Sequence, residues 1–180
     1  MGAIAIITAG GKGVRLGGGE PKQFLPIAGA PMIVHTLRAF AKARTVDGYV
    51  VTLPEDRVES FERDVIRAYD LPKFIRAVAG GETRQASVHR GLRAIDRACE
   101  IVAIHDAARC LIEPATIDAA VDRCRSVDGV IVALPVRDSI KSVEGRRITG
   151  TVRRDPLWAM QTPQVFRRGI ADRAYAKAEA

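Results

Sequence analysis

Short, largely apolar runs of strand length recur along the chain at 3–9, 48–53, 74–78, 101–104 and 129–134. A strand with one face in water alternates polar and apolar residues, so runs like these belong to a sheet covered on both faces. Amphipathic helical patterns lie between most of them. Ile33, Leu37 and Phe40 fall on one helical face, as do Val88, Leu92, Ile95 and Cys99 within 84–99. A third helix is expected over 115–125, introduced by Glu113-Pro114, with proline near the first turn where helices accept it. Strands alternating with helices predict an α/β fold, a Rossmann-like, doubly wound, mostly parallel sheet. In such sheets ligands bind outside the carboxyl ends of the strands, here where the loops after the first, third and fourth strands converge.

The first of those loops is glycine-rich and carries cations: Ala9-Gly10-Gly11-Lys12-Gly13-Val14-Arg15, then Pro21-Lys22-Gln23. Glycines allow a tight turn that presents bare N–H groups to an anion, and Arg15 and Lys22 add full positive charge. The loop lacks the Gly-Lys-Ser/Thr ending of the P-loop, and its two cations are superfluous to the dinucleotide fingerprint. It is suited to a polyphosphate, although a plain strand-to-helix turn would also use glycines.

At 180 residues and 47% hydrophobic content the chain fits a single domain with a sizeable core. The opening apolar run is too short to span a membrane and lacks the flanks of a signal peptide, so a cytoplasmic protein is expected. Cys99, Cys110 and Cys124 show no CxxC spacing and read as small hydrophobes in a reducing compartment. The net charge of +7 is dispersed, and aromatic residues make up only 5%. That pattern favours a small anionic substrate over nucleic acid.

Further motifs fall at the predicted ligand face. Gly80-Gly81-Glu82-Thr83-Arg84-Gln85-Ala86-Ser87 places flexible backbone and short polar groups at a helix start, suited to a base or sugar, though Glu82 and Thr83 also suit capping. His105-Asp106-Ala107-Ala108-Arg109 follows the fourth strand. Asp106 there can hold Mg²⁺ that bridges phosphates, or pair with Arg109 to fix the loop, and the residues leave both open. The isolated His105 reads as a positioning or hydrogen-bonding group rather than a metal ligand, whereas His35 and His89 fall in helical segments and need no functional role.

The segment 137–154 alternates polar and apolar residues around Glu144-Gly145 and reads as a β-hairpin. With few large apolar residues, it is expected to project as an arm, over about 136–154, and pack on another subunit, although an ordinary surface hairpin would carry the same pattern. Beyond it, Leu157-Trp158-Ala159-Met160-Gln161-Thr162-Pro163-Gln164 holds the only tryptophan, expected in the core, and a polar turn.

Taken together and in order, GGKGVR with PKQ, GGETRQASV, HDAAR, PVRDSIK and LWAMQTPQVF resemble the 2-C-methyl-D-erythritol 4-phosphate cytidylyltransferases of non-mevalonate isoprenoid biosynthesis, over essentially the whole chain. The resemblance implies a nucleotide-diphospho-sugar transferase type of fold, a homodimer through the arm, and Mg²⁺-dependent transfer from CTP to methylerythritol phosphate. It implies catalytic roles for Arg15 and Lys22, nucleotide contacts at Ala9, Gly10, Gly11, Gly13, Gly81, Glu82 and Ser87, and acceptor contacts at Asp106, Arg109, Ser139 and Arg154. Ser139 and Arg154 would serve the neighbouring subunit's site, and Asp106 would also hold the metal. Ser139 stands where the family usually has Thr, and Cys110 where it often has Pro. Family members continue through Thr-Asp-Asp and Lys-Ile-Thr segments that these 180 residues lack, so the chain reads as truncated or naturally shortened. The alternatives are the related ribitol-5-phosphate cytidylyltransferases, which share several motifs, and a dimeric CTP-binding module without turnover.

Overall fold

A six-stranded sheet forms the centre of the computed structural model, which describes residues 2–11 and 20–178. Its spatial order is β5 (Phe74–Ala79), β4 (Val46–Leu53), β1 (Ala3–Thr8), β6 (Ile101–Asp106), β10 (Trp158–Arg167) and β7 (Gly129–Pro135). β1 pairs in parallel with β4 and β6, and β4 with β5, while β10 runs antiparallel to β6 and β7. From β1 the chain builds outward to β5 on one side, then returns to lay β6 on the other. The seam between β1 and β6 is therefore the switch point at which the loops part and leave a crevice.

Burial explains the uniformly apolar strands. Ala3, Ala5 and Ile7 of β1 join a core with Ile33, Leu37 and Phe40 of α1 (Met32–Lys42) and Ile117 and Val121 of α4 (Pro114–Cys124). On the opposite face Ile4 and Ile6 meet Val88 and Leu92 of α3 (Arg84–Arg93) and Ala171 of α5 (Arg168–Lys177). Both faces are covered, as the doubly wound reading requires. Cys124 is buried, Cys99 and Cys110 are half-buried, and all three are free thiols.

Several boundaries differ from expectation. α3 stops at Arg93, short of Cys99, because the chain tightens there: the Ala94 N–H is shared between the carbonyls of Arg90 and Gly91, and the Ile95 N–H bonds that of Leu92. Ile95 still packs in the core, so its apolar character marked burial rather than helix. An unforeseen helix α2 (Val58–Phe61) continues into a π-helical turn, Glu62–Arg67, and buries Phe61, Val65 and Ile66. Val58, Phe61 and Val65 carry the helical spacing that would have revealed it.

The largest corrections concern β10. Gln161-Thr162-Pro163-Gln164 is not a turn between elements but the interior of a strand, where the register with β7 shifts between Met160 and Gln164. A bulge of this kind accommodates a proline that an uninterrupted ladder would exclude. Trp158 is not core: it is 54% exposed, because Trp158–Met160 extends beyond the covered part of the sheet and burial begins only at Thr162.

The arm is a hairpin of β8 (Ile140–Glu144) and β9 (Arg147–Val152), turning at Gly145, whose φ of +59° is natural for glycine. It forms its own two-stranded sheet, as does a short hairpin of β2 (Pro26–Ile27) and β3 (Ala30–Pro31).

Candidate active site

Three chain segments meet at the carboxyl ends of β1, β5 and β6 around a cleft of about 410 Å³: residues 8–11, residues 81–87 and residues 106–109, joined by Lys22 and Gln23. The first is organised by Gln23. Its buried amide donates to the carbonyl of Ala9 and, at 3.2 Å, to that of Gly11, tying the start of the glycine loop to the turn that carries Lys22. Lys22 opens that 3₁₀ turn and stands in the cleft wall. Arg15 and Gly13 lie outside the described residues.

The second segment is a helix start. Thr83 is the N-cap of α3, its hydroxyl accepting from the Ala86 N–H at 3.0 Å. Ser87, one turn inside, accepts the Gly81 N–H at 3.0 Å and also bonds the Thr83 carbonyl at 3.0 Å. This packing leaves no room for side chains: a Cβ on Gly81 would fall 2.4 Å from that of Ala86, and one on Gly80 would fall 2.9 Å from the Ser87 hydroxyl oxygen. Backbone and a short hydroxyl therefore form this wall, with Glu82 exposed at its edge.

The third segment centres on Asp106, the last residue of β6, in register with Thr8 of β1. Arg84 Nε contacts its Oδ1 at 2.9 Å, Arg109 Nε its Oδ2 at 3.0 Å, and the Thr8 hydroxyl donates to Oδ1 at 3.3 Å. Burial pushes the carboxyl's pKa up, but the hydrogen bonds and charges of Arg109 and Arg84 outweigh it and hold Asp106 below the usual carboxylate value. Arg109 also donates to the Gln161 side chain. His105, one residue earlier, points to the opposite side of the sheet, where its ring lies 5.0 Å from that of Phe40, and burial lowers its pKa to about 4.

Residues 3–180 of the sequence match the family model of 2-C-methyl-D-erythritol 4-phosphate cytidylyltransferase. Curated relatives of that name are 39% identical in Alkaliphilus metalliredigens, over 97% of this chain and 73% of the relative, and 40% identical in Geotalea uraniireducens, over 100% and 78%. This chain belongs to the 2-C-methyl-D-erythritol 4-phosphate cytidylyltransferase family. A solved structure of 4-diphosphocytidyl-2C-methyl-D-erythritol synthase from Anaerococcus prevotii superimposes with a TM-score of 0.84 at 26% identity, covering 99% of this chain and 75% of that one.

Of the residues expected to serve a methylerythritol phosphate cytidylyltransferase, the fold brings Ala9, Gly10, Gly11, Lys22, Gly81, Glu82, Ser87, Asp106 and Arg109 to one cleft. Ser139 and Arg154 do not line it. Ser139 is exposed at the base of the arm, and the Arg154 guanidinium donates to the Arg137 carbonyl across the arm's root. Gln23, Arg84 and Thr162 emerge as structuring residues to which the sequence alone assigned no role. Gln23 stands in the Pro21-Lys22-Gln23 motif, and Arg84 directly follows the helix cap, but only the tertiary fold shows what either reaches.

For a divalent cation, Asp106 offers a carboxylate on the cleft floor, its oxygens already paired with Arg84 and Arg109, and Glu82 offers another at the edge; among the described residues no cluster of three potential ligands exists. One carboxylate fits a Mg²⁺ whose other ligands are phosphate oxygens and water, and does not fit a resident structural metal.

Proposed function

We propose that this chain transfers a cytidylyl group from CTP to 2-C-methyl-D-erythritol 4-phosphate, releasing pyrophosphate and forming CDP-methylerythritol for isoprenoid biosynthesis. The observation that carries this reading is the single cleft uniting the glycine loop and Lys22, the Gly81–Ser87 wall and the Asp106–Arg109 pair. A ribitol-phosphate acceptor gains no support from the relatives, which carry the methylerythritol name.

In this reading the cytidine lies against Gly81, Glu82 and Ser87, and the triphosphate follows the backbone of Ala9–Gly11. An oxygen of the acceptor phosphate attacks the α-phosphorus in line, a new P–O bond forms, and the bond to the β-phosphate bridging oxygen breaks, its electron pair leaving with pyrophosphate. Lys22 and Arg15 stabilise the charge that grows on the equatorial and leaving oxygens. No side-chain nucleophile is needed, because the acceptor phosphate is already ionised. Arg109 and Asp106 hold the acceptor, the cation by its phosphate and the carboxylate by its hydroxyls. Asp106 would hold Mg²⁺, which neutralises phosphate charge when bound.

The arm supports a homodimer in which Ser139 and Arg154 reach the partner's cleft. Val143 and Ile148 are more than half exposed on it, and Trp158, Met160 and Leu134 are equally exposed beside it, a set of apolar groups that a second copy would cover. A cytoplasmic location fits the free thiols, and among the described residues no helix is long and apolar enough to cross a membrane.

The direct test is pyrophosphate release with CTP, Mg²⁺ and methylerythritol phosphate, beside ribitol 5-phosphate and beside Lys22→Ala. Release with the first acceptor alone, reduced by about 10²-fold or more in the variant, is the expected outcome. Release with ribitol 5-phosphate instead would transfer the chain to the alternative substrate. CTP binding without release would make it a binding module.

A further inference from the structure

His105, in β6, is fully buried against Phe40 of α1 and does not line the cleft, though the charges of Asp106, Arg109 and Arg84 act on it. A polar ring in that position is costly unless both nitrogens are paired, and both are. Its Nε2 lies 3.2 Å from the Arg109 carbonyl oxygen, which can only accept, so the ring proton sits on Nε2. Nδ1 then accepts from the Thr162 hydroxyl at 2.8 Å, and the Thr162 oxygen in turn lies 3.4 Å from the Asp106 N–H. The ring therefore stands between the β10 bulge and the backbone of the two residues, Asp106 and Arg109, that face the acceptor. Thr36 of α1 braces the same loop from below, its hydroxyl bonding the Ala107 carbonyl at 2.7 Å.

We propose that His105 is a positioning residue for acceptor binding, setting through its hydrogen bond to the Arg109 carbonyl where the Arg109 and Asp106 side chains stand. The inference rests on the cytidylyltransferase reading for its substrate and on this geometry for its mechanism. An aromatic hydrocarbon would fill the same space against Phe40, so packing alone does not call for a histidine here. The nucleotide wall is held by its own bonds from Ser87 and Thr83 and is joined to this loop through the Arg84–Asp106 ion pair, so loss of the ring contacts is expected to act far more strongly on the acceptor than on CTP.

Three variants separate the ring's contacts. His105→Phe keeps volume and removes both bonds; His105→Gln places an amide where Nε2 stood and can still donate to Arg109; His105→Asn reaches only Thr162. For each, the KM for methylerythritol phosphate, the Kd for CTP, the melting temperature, and amide exchange at Ala107 and Arg109 are measured. The KM should rise about five- to tenfold in the Phe and Asn variants, return close to wild type in the Gln variant, and leave the CTP Kd unchanged within about twofold. An unchanged KM in folded Phe and Asn variants, or a KM that follows melting temperature instead of the Gln/Asn distinction, overturns the proposal. If the wild-type chain shows no turnover, the proposed function fails separately. Amide exchange then decides: faster exchange in Asn than in Gln supports His105 as the brace, and equal exchange overturns it. Should the Phe variant fail to fold, the Gln and Asn pair makes the same decision.

Discussion

A histidine that is fully buried and neutral makes folding depend on pH, and the sign follows from which state binds the proton. The pKa of His105 is depressed from its ordinary 6.5 to about 4 by burial, so below 6.5 the unfolded chain takes up a proton that the folded chain refuses. Stability contributed by the neutral ring is fully present above pH 6.5 and is lost as pH falls from there toward about 4. Between pH 7 and about pH 5 the loss should approach 2 kcal/mol, read as a fall in the urea midpoint, and His105→Phe should flatten that dependence. Asp106 is shifted below the usual carboxylate value, so its contribution disappears only at still lower pH and does not obscure this window. On the nucleotide side, Ser87→Ala removes the acceptor of the Gly81 N–H. An expected loss of about 1 kcal/mol in stability and a CTP Kd raised about fivefold, with an unchanged acceptor KM, would mark that hydroxyl as the support of the nucleotide wall. Calorimetry with CTP alone checks it. Residues such as Lys22, Ser87, Asp106 and Arg109 were legible because they sit beside strand ends, where the fold class itself places the ligand. Gln23 and Arg84 were not, since the atom at the end of a long side chain is placed by neighbours distant in sequence: Arg84 meets Asp106 across 22 residues.

Helix α3 is positioned by a missing side chain. A Cβ on Gly91 would meet Ile6 Cγ2 of β1 at 2.5 Å and Thr52 Cγ2 of β4 at 3.2 Å, so the helix lies closer to the sheet than any other residue would permit. Gly91→Ala must push α3 outward, and Arg84 and Ser87 move with it. A loss of about 1–3 kcal/mol in stability is expected, together with weaker CTP binding, whereas Gly150→Ala, where a Cβ meets nothing within 4 Å, should leave both unchanged. Denaturant titration of the two variants side by side measures the difference. The same contrast between local and tertiary cause explains which elements could be read from sequence. β1, β4 and β6 declare themselves because both faces are buried, and α1 and α4 because one stripe is. β10 did not, because its surroundings change along its length: its first three residues are exposed, its middle carries Gln161-Thr162-Pro163 at a bulge, and only its last part lies in the core. Trp158 was misplaced for the same reason, since its size suggested core but its strand has not yet entered the covered part of the sheet.

At the scale of the molecule, the cleft holds one set of expected residues and the arm, a two-stranded sheet of its own, holds Ser139 and Arg154 at its root. Leu134, Ile148 and Trp158 are each more than half exposed near that arm, an arrangement that leaves apolar surface in water unless a second copy covers it. If, as proposed, a two-fold contact brings each arm to the other subunit's cleft, the division of labour is measurable. Lys22→Ala and Arg154→Ala should each abolish most activity when expressed separately. Mixed in equal amounts and allowed to exchange subunits, they form heterodimers in which the first chain lends its intact arm to the second chain's intact cleft. Half of the dimers are then mixed, and each has one complete site, so activity should recover to about a quarter of wild type. If Arg154 served its own chain's cleft, the mixture would contain no complete site at any ratio and activity would stay at the level of the separate variants. Trp158→Arg in both chains should suppress the recovery by opposing association, and sedimentation at the assay concentration would show whether it does so as monomer.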